Sequence, residues 1–292
     1  MIEIKLEKVA LVMVTFNRAE LLDEILNSIK KFQWSYTNFV IIDNGSEQET
    51  QEVLERNKGV LSLDVLTLNH NLGHGAGLFY GLNFLRHKFP HTEYVVFLED
   101  DSIPQEGYFN FLLSKIRKSH YSLISSAGSK VSLGKRKEII PNAKEIKEAD
   151  FVLFDGAIAK FYELVKVGFP VENWFMMFDD YEYCYRLRKA NKKLGVVQNP
   201  YVDILHEGFG GGSSHSHLWR SYYQSRNFIL FVRTHFTWFN LLDAIILNFK
   251  RILGGLFSKN GLKVTRLRFL GIRAGVLGKT GKSLDINTLK EV

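Results

Sequence analysis

Short apolar runs alternate with longer amphipathic stretches over the N-terminal third of the chain. Apolar runs of the kind found in buried strands lie at residues 9–15, 39–42, 61–68 and 94–98. Between them, the spacing of apolar side chains predicts helices over residues 19–32 and about 48–57, and a third helix that ends near residue 87. Strands that alternate with helices of this length are typical of βαβ units. The pattern therefore predicts an α/β fold with a parallel sheet.

The second half of the chain carries shorter apolar pieces. Strand-like runs lie at residues 121–127, 151–154 and 194–197. From Leu218 onward the pattern predicts helices that are rich in aromatic side chains. We therefore predict two parts, an α/β domain over residues 1–217 and a C-terminal helical segment over residues 218–292.

Polar residues follow the apolar runs at four places. They are Thr15, Asn17 and Arg18 after the first run, Asp43, Gly45 and Ser46 after the second, Asn69 and Gly73 after the third, and Glu99, Asp100 and Asp101 after the fourth. Right-handed crossovers bring the carboxyl ends of parallel strands to one edge of the sheet, where ligands bind. Four polar strand ends at one edge predict a nucleotide site.

Two acidic clusters lie far apart in the sequence. The first, residues 99–101, directly follows an apolar run. Buried carboxylates repel one another, and a divalent cation would remove that repulsion and bring a phosphate-bearing ligand with it. The alternative is a solvated acidic turn. The second cluster, residues 179–182, either supplies a general base or caps a helix. His206 ends a later strand-like run and is either a core residue or a ligand of the same metal.

The glycine-rich turn before the third helix excludes one class of nucleotide-binding protein. A dinucleotide-binding motif needs glycines at positions i, i+2 and i+5. Gly73 and Gly75 fit the first two positions, but Leu78 occupies the third, so a dehydrogenase is excluded. The glycines serve either the close approach of a ligand to a helix start or tight packing of the helix on a strand.

The net charge of +7 is concentrated near the C-terminus. Nine Lys and Arg residues and no Asp or Glu lie between residues 244 and 284. A basic segment favours nucleic acid or an anionic membrane surface as partner. No apolar run there approaches the ~18–20 residues that span a bilayer, so the segment either lies on a membrane surface or packs on the core. The single cysteine, Cys184, excludes an internal disulfide and favours a reducing compartment.

In their order along the chain, these motifs resemble the family 2 inverting glycosyltransferases with the GT-A fold. Within that family the likeness is to the bacterial galactofuranosyl- and rhamnosyl-type transferases of cell-surface polysaccharides. The matching pieces are residues 14–18, 42–46, 69–77, 98–104 and 178–183, and His206. The resemblance implies a Rossmann-like, mainly parallel sheet flanked by helices, followed by a basic, amphipathic helical segment.

The resemblance also implies a role for individual residues. Asp180 matches the catalytic base, and Glu99, Asp101 and His206 match the ligands of Mn²⁺ or Mg²⁺. The family usually has Asp where Glu99 stands, which leaves Asp100 as an alternative ligand. The nucleotide-binding positions are Thr15, Asn17, Arg18, Asp43, Asn69, Gly73 and Asp100. The positions for the sugar or the acceptor are Trp174, Asp179, Glu182 and Arg226, the last either facing a phosphate or lying on a helix surface.

The reaction implied is inverting transfer of a sugar. One carboxylate deprotonates the acceptor hydroxyl, and a cation stabilises the leaving diphosphate. UDP-galactofuranose is the favoured donor and dTDP-rhamnose the next, with a glycan or lipid-linked acceptor in bacterial surface polysaccharide synthesis. The expected location is the cytoplasm, peripheral on the inner face of the plasma membrane, with no nucleic-acid partner.

Two other functions compete with this one. A nucleotidyltransferase shares the sheet, the nucleotide and the metal, but favours a glycine-rich loop after the first strand, and residues 15–18 contain no glycine. A non-catalytic basic module that binds membranes would leave the acids at the strand ends unexplained. The transferase hypothesis requires that Asp180 lie within reach of Glu99 and Asp101.

Overall fold

The computed structural model of the protein describes residues 8–32, 38–204, 218–257 and 260–292. Its strands are β1 (Val9–Thr15), β2 (Asn38–Asp43), β3 (Leu63–Thr67), β4 (Tyr94–Phe97), β5 (Ser102–Pro104), β6 (Leu123–Ser125), β7 (Gly128–Ser132), β8 (Lys135–Glu138), β9 (Lys147–Ala149), β10 (Phe151–Val152), β11 (Ala157–Lys160), β12 (Leu194–Val196) and β13 (Val202–Ile204). Its helices are α1 (Ala19–Lys31), α2 (Gln48–Lys58), α3 (His74–Lys88), α4 (Tyr108–Arg117), α5 (Phe161–Val167), α6 (Asp179–Lys189), α7 (Trp219–Thr234), α8 (Trp238–Leu256) and α9 (Gly261–Val276). The largest sheet has the strand order β3-β2-β1-β4-β11-β6-β12-β9.

The first half of this sheet is parallel, as the apolar runs predict. β3, β2, β1 and β4 lie side by side and run in the same direction. β1 is buried along almost its whole length, which is typical of a strand with helices on both faces of its sheet. Helix α1 buries Leu22, Ile25, Leu26 and Ile29, the spacing of one helix face. The predicted strands and helices of this half are confirmed.

Helix α3 approaches the sheet closely because its inward face carries glycine. A Cβ at Gly77 would lie 2.6 Å from Cγ1 of Val14, and a Cβ at Gly81 would lie 2.4 Å from Cδ1 of Ile42. At both positions a side chain would collide with a strand. Tight packing on the sheet is therefore the role of these helical glycines, whereas Gly73 lies at the strand-end edge.

The second half of the sheet is mixed. β11 lies between β4 and β6 and runs antiparallel to both. β12 pairs in parallel with β6, and β9 pairs antiparallel with β12. Outside this sheet, β10, β7 and β8 form a small sheet of their own, and β13 pairs with β5.

Helices α7 and α8 pack on the same core. Phe228 and Phe231 of α7, with Ala244 and Leu247 of α8, belong to the hydrophobic cluster that contains the central strands. Among the described residues, no helix combines the length and the apolar character that crossing a membrane requires. The α/β fold with a mainly parallel sheet is confirmed. The division at residue 217 stays a prediction, because residues 205–217 are outside the described ranges.

Candidate active site

The carboxyl ends of β1 and β4 meet at one edge of the sheet, and the side chains that follow them are bonded to one another. Thr15 Oγ1 donates a hydrogen bond to Asp100 Oδ2 over 2.9 Å. The guanidinium of Arg18 lies 3.5 Å from Asp100 Oδ1 and 3.4 Å from Asp101 Oδ2. Opposite charges from two strand ends thus hold the edge together.

The end of β2 joins the same edge. Ser46 Oγ accepts a hydrogen bond from the backbone N–H of Asn17 over 3.0 Å, and Ser46 N–H donates to Asp43 Oδ1 over 2.9 Å. Asp43 is fully buried, and its Oδ2 has no hydrogen-bond partner. Leaving a buried carboxylate oxygen unpaired is costly. Asp43 Oδ2 is therefore a ready acceptor for a polar group of a ligand.

The turn before α3 is held by asparagine side chains. Asn44 Nδ2 donates to the carbonyl of Gly73 over 3.1 Å, and Asn71 Oδ1 accepts from Gly73 N–H over 2.9 Å. Gly73 has a φ of +94°, and a Cβ there would lie 1.5 Å from the carbonyl oxygen of Phe175. Gly73 thus lets this turn pass the loop before α6. Asn69 is exposed and forms none of these bonds.

Glu99 and Asp101 form an acidic pocket with Asp155. Asp155 accepts hydrogen bonds from Glu99 N–H over 3.4 Å and from Ser102 Oγ over 2.8 Å. Burial raises the pKa of Glu99 to about 7, and the neighbouring carboxylates add to this while the charge of His74 opposes it. Asp101 Oδ1 is buried with no hydrogen-bond partner. The pocket therefore holds more negative charge than its protein neighbours offset.

The chemistry of this pocket fits a divalent cation. Carboxylate oxygens are the ligands that Mg²⁺ and Mn²⁺ prefer, and Asp101 offers an oxygen with no other partner. Over the ranges that the structure describes, no three acidic, histidine or cysteine side chains are already grouped as a metal site. His206 lies outside those ranges. Of the three predicted metal ligands, Glu99 and Asp101 therefore lie within the described ranges.

His74 connects the two acidic clusters. Its Nδ1 lies 2.7 Å from Asp179 Oδ2, and its Nε2 lies 3.9 Å from Glu99 Oε1. Burial lowers the pKa of His74, but the hydrogen bond and charge of Asp179, with the charges of Glu99 and Asp180, raise it to about 9. At neutral pH His74 is therefore a cation between carboxylates. The two clusters lie in one cleft.

Asp180 is the second residue of α6 and directly follows Asp179, the partner of His74. Burial, and then the negative charge of Asp179, raises the pKa of Asp180 well above the ordinary value for aspartate. Asp179 is shifted the other way: burial raises its pKa, but the hydrogen bond from His74 and the charge of His74 bring it below the ordinary value. Adjacent carboxylates with opposite shifts can take different roles. Asp179 stays ionised against His74, and Asp180 is the stronger proton acceptor.

A family comparison identifies the chain. The family described as Glycosyl transferase family 2 matches residues 10–166, which is more than half of the 292 residues. The chain belongs to glycosyl transferase family 2. The predicted family is confirmed, and with it the enzyme class, a glycosyltransferase.

Solved structures show the fold of the transferase in other proteins. The chain is similar to S. aureus TarS 1-349 in complex with UDP-GlcNAc, with 19% identity and a TM-score of 0.56. The similarity covers 86% of this chain and 74% of that one. It is also similar to the mannosyltransferase PcManGT from Pyrobaculum calidifontis in complex with GDP-Man and Mn²⁺, with 14% identity and a TM-score of 0.55 over 93% of this chain and 76% of that one. No curated protein matches the chain. The predicted GT-A fold is confirmed.

Three residues predicted to contact the sugar or the acceptor have other roles in the transferase. Glu182 is buried, and its oxygens accept hydrogen bonds from Arg186 and His235 over 2.7 to 3.0 Å. Trp174 is buried in the hydrophobic core, where its ring cannot stack on a sugar. Arg226 is fully buried and donates to the carbonyl of Trp174 over 2.7 Å, so it braces a loop instead of facing a phosphate. The structure corrects all three assignments.

Sequence reasoning missed three residues of the transferase cleft, His74, Asp155 and Arg220. Arg220 is the second residue of α7, and its Nε is buried with no hydrogen-bond partner. Burial and the charge of Arg18 lower the pKa of Arg220, while the acidic pocket raises it. Arg220 therefore lies within the field of that pocket. His74 lies in the glycine-rich turn, where the motif concerns only the glycines, and no sequence pattern singles out Asp155 or Arg220.

Proposed function

We propose that the chain is a metal-dependent, inverting glycosyltransferase with Asp180 as its base. It moves a sugar from a nucleotide-sugar donor to an acceptor hydroxyl. The observation that carries this proposal is the His74 bridge, which joins Asp179 to Glu99 and so brings both acidic clusters to one cleft. Inverting transfer requires both functions there, one at the leaving diphosphate and one at the attacking hydroxyl. Membership of glycosyl transferase family 2 supports sugar transfer.

The raised proton affinity of Asp180 supports its assignment as the base. Burial and the adjacent charge of Asp179 raise its pKa, so it takes a proton more readily than an exposed aspartate does. Asp180 receives the proton of the acceptor hydroxyl as that oxygen bonds to the anomeric carbon. The bond from this carbon to the diphosphate breaks, the electron pair stays on the diphosphate oxygen, and the configuration inverts. Asp179 holds His74 in place.

On the donor side, we assign the nucleotide to the edge formed by β1, β2 and β4. Asp43 offers a buried, unpaired oxygen to the base or ribose. The further positions are Thr15, Asn17, Arg18, Asn69, Gly73 and Asp100. Glu99, Asp101 and His206 would hold Mn²⁺ or Mg²⁺, which when bound offsets charge on the leaving diphosphate. Arg220 adds a fixed positive charge beside the same pocket.

The donor we favour is UDP-galactofuranose, followed by dTDP-rhamnose. The paired acids 179–180 and His206 resemble the galactofuranosyl-type transferases more. The TarS structure contains UDP-GlcNAc, and the mannosyltransferase structure contains GDP-Man and Mn²⁺. These neighbours support a nucleotide sugar and a divalent cation as the classes of ligand. The proposed acceptor is a glycan or a lipid-linked saccharide in bacterial surface polysaccharide synthesis.

We also propose that the enzyme works in the cytoplasm on the inner face of the plasma membrane, with α8 against the lipid. A row of large apolar side chains on α8 is exposed at helical spacing: Trp238, Leu242, Ile245, Phe249, Leu253 and Leu256. The surrounding segment, residues 244–284, is basic and lacks acids. An exposed apolar row with nearby positive charge is typical of helices that lie in a membrane interface.

A panel of nucleotide sugars tests the transfer reaction. The purified chain is incubated with Mn²⁺ and, in turn, UDP-galactofuranose, dTDP-rhamnose, UDP-GlcNAc and GDP-mannose, and release of the nucleoside diphosphate is measured. We expect release to be fastest from UDP-galactofuranose and to be lost in EDTA. Failure of every donor, together with no thermal stabilisation by UDP, dTDP or GDP, would contradict the proposal.

A further inference from the structure

A cluster of polar atoms without partners lies where α8 crosses α9, outside the residues assigned to the transfer reaction. The buried atoms with no hydrogen-bond partner are Asn248 Oδ1, Arg251 Nη1, Thr265 Oγ1 and Arg268 Nε. Buried polar groups in folded proteins are nearly always paired. Four at one helix crossing, two of them on guanidinium groups, indicate a site with capacity for a polar ligand.

The helix register places these atoms together. Asn248, Arg251 and Gly255 are three and four residues apart on α8, so they share one face of that helix. A Cβ at Gly255 would lie 3.2 Å from Cγ1 of Val264 and 3.6 Å from Oγ1 of Thr265. This face of α8 therefore packs directly on α9 at Thr265.

Helix α7 closes the third side. Arg268 follows Thr265 by one turn of α9, and its Nη1 donates to Gln224 Oε1 over 3.3 Å. The Cζ of Arg251 lies 5.9 Å from the ring centroid of Phe228, which is one turn beyond Gln224 on α7. Gln224 and Phe228 thus face the two arginines from the same helix.

Among the residues that the structure describes, no carboxylate forms an ion pair with either guanidinium group. The acid beside Arg251 is Asp243, and Arg136 reaches its two oxygens over 3.2 and 2.5 Å, while Gly134 N–H donates to it over 2.7 Å. Burial, joined at Arg251 by the charge of Arg268, lowers the pKa of both arginines to about 10. Two like charges in a partly buried crossing favour an anionic ligand.

This site adjoins the catalytic cleft. Gln224 lies one turn beyond Arg220 on α7, a separation of about 6 Å along a helix axis. Arg220 in turn lies within the field of Glu99 and Asp101. Arg220 and Gln224 are four residues apart and share one face of α7, so the site lies next to the acidic pocket along this helix.

We propose that Arg251 and Arg268 bind a phosphate or diphosphate group of the acceptor, with Gln224 and Thr265 as additional hydrogen-bonding groups. This inference rests on the proposed transfer function for its assignment to the acceptor. The planar fork of an arginine matches the oxygens of a phosphate, and two arginines together match a diphosphate. Of the two acceptor classes, the site selects the phosphate-bearing one, a lipid-linked saccharide, over a neutral glycan.

Inorganic pyrophosphate is the probe for this site. It is titrated calorimetrically into the full chain without divalent cations and with UDP in excess, so that the donor side is filled. Three proteins are compared: the wild type, the double variant Arg251→Gln/Arg268→Gln, and the control Arg266→Gln. The control alters an exposed arginine of α9, the helix that carries Arg268. We expect binding at least tenfold weaker in the double variant and unchanged in the control. Equal binding in wild type and double variant, or no binding in the wild type, would overturn the proposal.

A single-site variant provides the test if the double variant does not fold. If circular dichroism shows that the double variant is unfolded, Arg268→Gln alone, at a partly exposed position, should weaken pyrophosphate binding at least threefold, and wild-type affinity there would overturn the site.

Vesicles separate a lipid-borne phosphate from a soluble one. The proteins are compared on phosphatidylcholine vesicles with and without phosphatidic acid. Arginine-dependent retention by phosphatidic acid supports a lipid-borne group, and a response to pyrophosphate alone supports a soluble phosphate-bearing acceptor.

If no nucleotide sugar is turned over but the arginine variants lose pyrophosphate binding, the anion site stands and the transfer function falls. If donor turnover is normal but the arginine variants bind pyrophosphate like the wild type, the transfer function stands and the anion site falls.

Discussion

His74 sets the charge of the cleft because it lies between carboxylates of different proton affinity. The pKa of His74 is about 9 and that of Glu99 about 7, both raised from their ordinary values. The charged imidazole offsets Asp179 and stands close to Glu99. Burial, and then the charge of Asp179, raise the pKa of Asp180, while the hydrogen bond that its Oδ1 accepts from Tyr181 N–H and the charge of His74 oppose the rise. A single histidine thus separates the roles of neighbouring acids.

Replacement of His74 by Gln should make the stability of the metal-free protein less dependent on pH. The folded state raises the pKa of His74 from 6.5 to about 9, so its contribution to stability is fully present below pH 6.5 and is lost as pH rises through 9. Between about pH 6 and pH 9.5, the free energy of unfolding of the wild type should fall by on the order of 1–3 kcal/mol more than that of His74→Gln. Unfolding by urea in EDTA measures this, with His91→Gln, at an exposed site, as control. Parallel curves for wild type and His74→Gln would contradict the assignment.

At the scale of elements, the loop of residues 174–178 positions the start of α6. Phe175, Met177 and Phe178 have φ values of 62°, 68° and 78°, a region that non-glycine residues enter at a cost of roughly 1–3 kcal/mol each. Asn227 of α7 offsets this strain, because its Nδ2 lies within 3.0 Å of three carbonyl oxygens of the loop. Helix α7 therefore holds the loop that delivers Asp179 and Asp180 to the cleft.

Gly73→Ala should disturb this loop and with it the catalytic acids. The new Cβ would lie 1.5 Å from the carbonyl oxygen of Phe175, a backbone atom that cannot rotate away. We expect a loss of stability on the order of 3 kcal/mol and a loss of transfer. Gly59→Ala is the matched control, since its φ is −76° and nothing lies within 4 Å of the added Cβ. Equal stability and turnover of the two variants would refute this role of Gly73.

The elements that the sequence predicts are those with a long internal pattern. The sequence runs that form β1, β2 and β4 are almost entirely apolar. In α1, the spacing of Leu22, Ile25, Leu26 and Ile29 predicts the buried face of the helix. β11 spans only Ala157–Lys160, and its place between β4 and β6 depends on pairing with distant strands. No local pattern contains that information.

The same limit applies to the candidate site. Polar residues directly after apolar runs, such as Asp43 and Asp101, could be found because the sheet edge collects strand ends. The sequence predicts that Arg226 contacts a ligand, but in the structure it donates to the carbonyls of Trp174 and Gly281, which lie more than fifty residues away. Whether a polar side chain meets a ligand or the backbone is decided by tertiary packing. Arg220 was missed for the same reason.

At the scale of the whole molecule, α7 connects the catalytic cleft to α8, which has an exposed apolar face. Arg220 at the start of α7 faces the acidic pocket, and α7 continues to α8, whose outer side exposes Trp238 and Phe249 by 72% and 60%. Isolated exposed apolar residues are ordinary, but an exposed row of them marks an interaction surface. The fold thus joins the reaction to the surface that we assign to the membrane.

Ile245→Ser/Phe249→Ser should weaken binding to anionic vesicles without changing donor turnover in solution. Each exchange removes apolar surface that would enter the lipid interface, and we expect a drop in affinity of roughly tenfold or more for the pair. Sedimentation with phosphatidylglycerol vesicles measures it. Val60→Ser/Ile140→Ser, two exposed apolar residues outside the C-terminal helices, should bind like the wild type. Unchanged binding of the α8 variant would exclude α8 as the docking face.

The most direct measurement is a comparison of donor binding and sugar transfer in Asp180→Asn, with the donor identified by the panel. Asparagine keeps the size of the side chain but cannot accept the proton of the acceptor hydroxyl. We predict a Kd for the donor within about threefold of the wild type and turnover lower by about 10²–10⁴-fold. Turnover near that of the wild type would show that Asp180 is not the base and that the two acidic clusters do not form one transfer site.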